Sequence, residues 1–196
     1  MSKGVKCLLM IGPMLFGFVM SLTTPVVQIY FIKHVDPSIF AISGVLATGL
    51  AAAVQSITSN EKMRLKICRW FYWILVFDCI AFTVISFAGL ESVTTRFIGI
   101  AILSAVSVNL WMVIMKDSLN NILSGAALTD FQSLSTASYL WANLVGGILS
   151  VILINRITID LAIGAQCIAN AFCAVSDWMA YKKINSSIEV IIGRAR

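Results

Sequence analysis

Charged residues are scarce in this sequence. Only 12% of its 196 residues are Asp, Glu, Lys or Arg, whereas 59% are hydrophobic. An average soluble domain contains about 25% charged residues, and a soluble protein this apolar would expose surfaces that cause aggregation. The composition therefore excludes an ordinary soluble domain and predicts a membrane protein. Because no Gly/Ser linker, long charge block or low-complexity tract divides the chain, we expect one membrane domain over residues 1–196.

The patterns that enzymes and metal sites use are also missing. The single histidine, His34, has no neighbour suited to share a metal, and none of the five cysteines forms a Cys-x-x-Cys pair. The sequence contains no His-Glu-x-x-His, Gly-x-Ser-x-Gly or phosphate-loop motif. We therefore expect no enzyme activity, no metal and no cofactor. No nucleic-acid partner is expected either, because the basic stretches lack a nucleic-acid-binding motif.

What the sequence does contain is long apolar runs. About 20 predominantly apolar residues cross a bilayer as a helix, and a helix is required because lipid cannot hydrogen-bond the backbone. The runs predict six transmembrane helices, at about residues 7–32, 37–57, 70–89, 97–115, 137–154 and 157–181. Asp36 followed by Pro37 is typical of a helix start. Residues 58–69 are expected to form a basic loop, and a turn is expected near Thr129 and Asp130.

The basic residues predict the orientation. With six helices, both termini lie on the same side of the membrane as the second and fourth loops. Eleven of the fourteen lysines and arginines fall on that side, and the other three are Lys33, Arg96 and Arg156. Because cytoplasmic loops carry an excess of Lys and Arg, we expect both termini in the cytoplasm. The expected location is a cell membrane, the inner membrane of a bacterium.

One carboxylate, Asp78, lies within the run from Trp70 to Gly89. It lies about 12 Å along the helix from Trp70, near the middle of the bilayer. A charge there costs about 2.5–3.5 kcal/mol on insertion scales, and no basic residue lies at matching depth. Asp78 therefore needs a protein partner, a water cavity or a proton, and we interpret it as a proton or cation site. Pairing with a neighbouring amide, as a packing residue only, is the alternative.

Four amides also lie within the apolar runs. Gln166 and Asn170 are four residues apart and share a helix face, and Asn109 and Asn143 lie in two other predicted helices. These amides could line a polar cavity for a small solute or proton. They could also join helices, at about 0.6 kcal/mol per hydrogen bond, and we favour this second interpretation. Asp177 is expected to be hydrated near the cytoplasmic end of its helix.

Two further patterns concern the arrangement of the helices. In the second predicted helix, Gly44 with Thr48, and Gly49 with Ala53, have the spacing that allows close helix contact. Residues 128–132 read Leu-Thr-Asp-Phe-Gln and precede the pair Gly146-Gly147. Together with a proline-containing first helix and a basic loop of about a dozen residues, this layout resembles one six-helix half of the major facilitator superfamily.

The resemblance implies a fold and a function. Members of this superfamily are secondary transporters with two such halves, and the substrate is held between the halves near the midplane. The resemblance therefore implies a half-length transporter of a small solute, paired either with a second copy or with a second six-helix protein. The alternative is an integral membrane accessory or interaction subunit that does not transport.

Overall fold

The computed structural model describes residues 3–33, 35–88, 92–120, 123 and 125–194, and it describes side chains up to residue 184. These residues form seven α-helices and no strand. The helices are α1 (Lys3–Ile32), α2 (Pro37–Ser59), α3 (Glu61–Arg69), α4 (Phe71–Ala88), α5 (Val93–Asn120), α6 (Ala126–Leu153) and α7 (Ile159–Arg194).

Six of these helices are long and apolar enough to cross a membrane, α3 being the exception. Many of their large apolar side chains point outward; Val45 on α2 is 74% exposed and Val151 on α6 is 78% exposed. Such a surface suits lipid and not water. The predicted all-helical class with six candidate spans is confirmed.

The predicted loop at residues 58–69 is wrong for most of its length, because α3 forms there. The side-chain oxygen of Asn60 accepts hydrogen bonds from the backbone N–H groups of Lys62 and Met63, at 3.0 and 3.4 Å. This N-cap satisfies donors that the first turn would otherwise leave free. At its centre, Arg64 Nε lies 3.3 Å from Asp117 Oδ1, and this ion pair attaches α3 to the end of α5.

Helix ends elsewhere also differ from the predicted ones. The turn expected at Thr129 and Asp130 lies instead at Gly125, where φ is +55°, a backbone conformation that glycine adopts without a Cβ penalty. As a result α6 begins at Ala126, eleven residues earlier than predicted, and α7 continues through the predicted tail. The predicted start of α2 is confirmed, because Asp36 Oδ1 accepts from the Ser38 N–H at 2.8 Å. The hydrogen bonds that the side chain and the backbone N–H of Ser38 donate lower the pKa of the Asp36 carboxyl.

Two expectations lie outside the described residues. His34, which lies between the first two predicted helices, is one of these, and Gly89, expected at the end of the third predicted helix, is the other.

Helix α1 packs along both α6 and α7, while α2 packs on α5, and α4 packs on α5 and α7. An apolar cluster that includes Phe71, Ile114 and Ile184 lies between these helices near one end of the bundle. A smaller cluster that includes Phe31 and Ala162 lies near the other end. The two clusters therefore pack the helices together near both ends of the bundle.

The adjacent glycines of α6 have different surroundings. A Cβ at Gly146 would overlap the carbonyl oxygen of Phe18 on α1. A Cβ at Gly147 would meet no atom within 4 Å. Of these two glycines, Gly146 is therefore the one that allows the close approach of α1 and α6, as small residues do in membrane helix pairs.

This difference predicts opposite outcomes for two alanine substitutions. Gly146→Ala should destabilise the protein by about 1–3 kcal/mol, the usual cost of overpacking, whereas Gly147→Ala should leave stability unchanged. Thermal unfolding of both purified variants in the same detergent measures the difference. Equal melting temperatures for the two variants would contradict the described α1–α6 contact.

Candidate functional site

Asp78 and Asn170 meet between α4 and α7. The Asn170 Nδ2–H donates to Asp78 Oδ2 over 3.2 Å, and both side chains are partly buried. Asp78 is the eighth residue of an 18-residue helix, so it lies near the middle of its span. The partner of the carboxylate is thus an amide from a facing helix, which neutralises no charge.

The pair lines a cavity of about 560 Å³. Its walls come from α1, α4, α5, α6 and α7, and they are mostly apolar and aromatic. The polar or titratable side chains that line it are Asp78, Ser107, Trp111, Ser135, Thr136, Tyr139, Asn170, Cys173 and Asp177. None of the lining residues is Lys, Arg or His. A cavity of this size and character is typical of small-molecule sites, and its charged groups are both carboxylates.

Asp177, the second carboxylate, is buried and only partly satisfied. It lies two turns beyond Asn170 on the same face of α7 and is 2% exposed. Its Oδ2 accepts from Trp111 Nε1–H at 2.8 Å and contacts Cys173 Sγ at 3.7 Å. Its Oδ1 is buried and has no hydrogen-bond partner among the described residues. Asp177, expected near the hydrated end of its helix, is instead buried in the wall of the cavity.

The sequence did hold a signal for Asp177. Residues 170, 173, 174 and 177 follow the i, i+3, i+4, i+7 spacing of one helix face. Asn170 is one of the candidate residues of the sequence analysis, and this spacing places Asp177 on the same helix face as Asn170. Counting residues to the helix end gave the wrong answer, because α7 does not end near residue 181 but continues to Arg194.

The other three candidate amides each join two helices. Asn109 Oδ1 accepts from Gln55 Nε2 at 3.1 Å, linking α5 to α2. Ser21 Oγ donates to Asn143 Oδ1 at 2.8 Å, linking α1 to α6.

The third link is between α7 and α1, where Gln166 Nε2 donates to Thr23 Oγ1 at 3.0 Å. Asn109, Asn143 and Gln166 are absent from the cavity lining. Of the five predicted binding residues, the structure therefore brings together Asp78 and Asn170 only.

The donor set of the site limits its chemistry. Within the described ranges, no group of three or more His, Cys, Asp or Glu side chains is placed to hold a metal ion. The fold and the site define an all-α protein with six candidate membrane spans, five of which surround a cavity lined by two carboxyl groups. In comparisons with known proteins, no family, no curated protein and no solved structure matches the chain.

The contact of Gln166 leads to a prediction about packing. Gln166→Leu should cost about 0.6–2 kcal/mol of stability, since it removes one hydrogen bond between α7 and α1 inside the bundle. It should leave ligand binding in the cavity unchanged, because Gln166 does not line it. Thermal unfolding in detergent measures the loss, with the exposed Gln132→Leu as the matched control. A Gln166 variant as stable as the control would show that this hydrogen bond contributes nothing.

Proposed function

We propose that the protein is a half-length secondary transporter that carries a small solute or proton across the cell membrane as a dimer. The observation that supports it most is the Asp78–Asn170 pair, placed in a cavity between five helices of the bundle. A transporter needs a site that its substrate can enter. Polar groups within an apolar span are energetically costly and commonly mark such a site.

The depth of the pair is consistent with a transport site. Asp78 is about 10 Å from the start of α4 and about 15 Å from its end, at about 1.5 Å per residue. Asn170 is eleven residues into α7 and lies at the same level. Substrate sites of secondary transporters lie near the bilayer midplane. In this proposal the six spans correspond to one half of a major facilitator transporter, with both termini in the cytoplasm.

The proposed dimer would use the outer face of α2. A Cβ at Gly44 or at Gly49 would meet no atom within 4 Å, so these two small-residue positions of α2 are unoccupied in a single copy. Neighbouring Val45 is exposed on the same helix. Small residues on an unoccupied helix face allow a second helix to approach closely. A second copy, or a second six-helix protein, would pack on these positions of α2.

Transport is tested with proteoliposomes that contain only this protein. Charge movement would be recorded on a solid-supported membrane with a panel of amines, amino acids, sugars and nucleosides, at several external pH values. Wild type should give currents with at least one of these solutes, and Asp78→Asn should abolish them while folding stays intact. The exposed carboxylate variant Asp160→Asn is the control and should keep the currents.

Two results would go against the proposal in different ways. Equal currents and equal pH dependence for wild type and Asp78→Asn would reduce Asp78 to a packing residue. No current from wild type with any solute would favour the alternative, an accessory subunit that does not transport.

The dimer is tested by Gly49→Leu. Because nothing in the single copy lies near this position, the substitution should leave monomer stability unchanged and should prevent association. Single-molecule photobleaching in lipid vesicles counts the copies, with Val84→Leu at an exposed position of α4 as the control. A stable wild-type monomer with full transport activity would rule out the half-transporter dimer.

A further inference from the structure

We infer that the cavity binds a protonated primary or secondary amine with an apolar body, and that Asp177 receives its ammonium group. The inference rests on the proposed function insofar as it assigns a ligand class to the same cavity. It is carried by a different residue, Asp177, and by a different observation, namely the oxygen that the fold leaves without a donor.

Asp177 is incompletely satisfied within the protein. One carboxylate oxygen accepts from the indole of Trp111 and contacts the thiol of Cys173, while the other has no partner. The residue is 98% buried, since its exposed fraction is 2%. Buried carboxylates in proteins are normally paired with cations or fully hydrogen-bonded. One oxygen of this cavity-lining carboxyl is therefore left without a donor from the described residues.

Among the described residues, no basic side chain lines this place. The cavity lining includes two carboxylates and no basic side chain. Arg96, which is buried, lies elsewhere; its guanidinium donates to the Ser86 carbonyl at 3.2 Å and lies over the ring of Phe31. Arg64 pairs with Asp117. A ligand that enters this cavity therefore meets two carboxyl groups and no basic side chain, which favours a cation over an anionic solute.

The surroundings of Asp177 favour an organic amine over a metal ion. A metal ion needs several protein ligands, and the described residues provide no such group. By contrast, Phe16, Phe71, Trp111 and Tyr139 give the cavity aromatic walls, which attract both apolar groups and cations. The unpartnered oxygen calls for a hydrogen-bond donor, so among organic cations a primary or secondary ammonium fits and a quaternary ammonium does not.

Three related probes separate the contribution of positive charge from that of a hydrogen-bond donor. Benzylammonium has charge and N–H donors, benzyltrimethylammonium has charge without N–H donors, and benzyl alcohol has a donor without charge. Isothermal titration calorimetry of the purified protein in detergent should show benzylammonium binding most tightly. Equal affinity for benzyl alcohol would contradict the need for charge. Equal affinity for benzyltrimethylammonium would contradict the need for a donor. Both comparisons use wild-type protein, so they do not depend on whether a variant folds.

A substitution then tests the residue. Asp177→Asn keeps the size of the side chain and an acceptor for Trp111, but it removes the charge, so benzylammonium binding should weaken by roughly thirtyfold or more. Asp160→Asn removes an exposed carboxylate from the same helix and should leave binding unchanged. Binding that survives Asp177→Asn but is lost in Asp78→Asn would overturn the assignment to Asp177.

This test is separate from the test of transport. Calorimetry in detergent requires neither a membrane nor two separate aqueous compartments. An absence of currents in proteoliposomes would therefore leave a positive binding result intact. Conversely, Asp78-dependent currents with an uncharged solute, together with no binding of benzylammonium, would overturn the amine assignment and leave the transport proposal standing.

Discussion

The cost of placing carboxylates inside apolar helices is the constraint on which the rest of this structure depends. An isolated charge in a low-dielectric interior is tolerated only when hydrogen bonds, a counter-ion or a proton compensate it. Asp78 receives one hydrogen bond, from Asn170, and Asp177 receives its contacts at one oxygen only. Neither has a basic partner among the described residues. The two carboxyl groups line the same cavity, so the groups with the fewest compensating contacts lie where a ligand has room.

The cavity exists because the helices around it are held by contacts above, below and beside it. Apolar clusters lie near both ends of the bundle, and Gly146 lets α6 approach α1 closely. Amide and hydroxyl pairs then connect neighbouring helices away from the cavity, as Gln166 does with Thr23. Such bonds are individually weak in membranes, and the amides that form them, Asn109, Asn143 and Gln166, do not line the cavity.

Sequence reasoning predicted the six candidate spans and the start of α2 at Asp36, because apolar run length and helix caps are local properties. It singled out Asp78 and Asn170 because polar residues in apolar runs are conspicuous. It could not decide which amides face the cavity, since this depends on how helices rotate against one another; Asn109 pairs with Gln55 instead. Sequence reasoning predicted that Asp177 is hydrated because the polar composition of the residues after 181 favoured a tail, whereas α7 continues through them.

The central claim is that a cation-accepting, water-accessible cavity lies between the helices. The most direct measurement places a cysteine at Ala174, which lines the cavity, in a cysteine-free background. Its labelling by a cationic and an anionic methanethiosulfonate of similar size would be compared, with exposed Val175 as the control position. The account predicts faster labelling of residue 174 by the cationic reagent and no labelling of residue 175 within the bilayer. Equal rates for the two reagents at residue 174, or no labelling there, would contradict it.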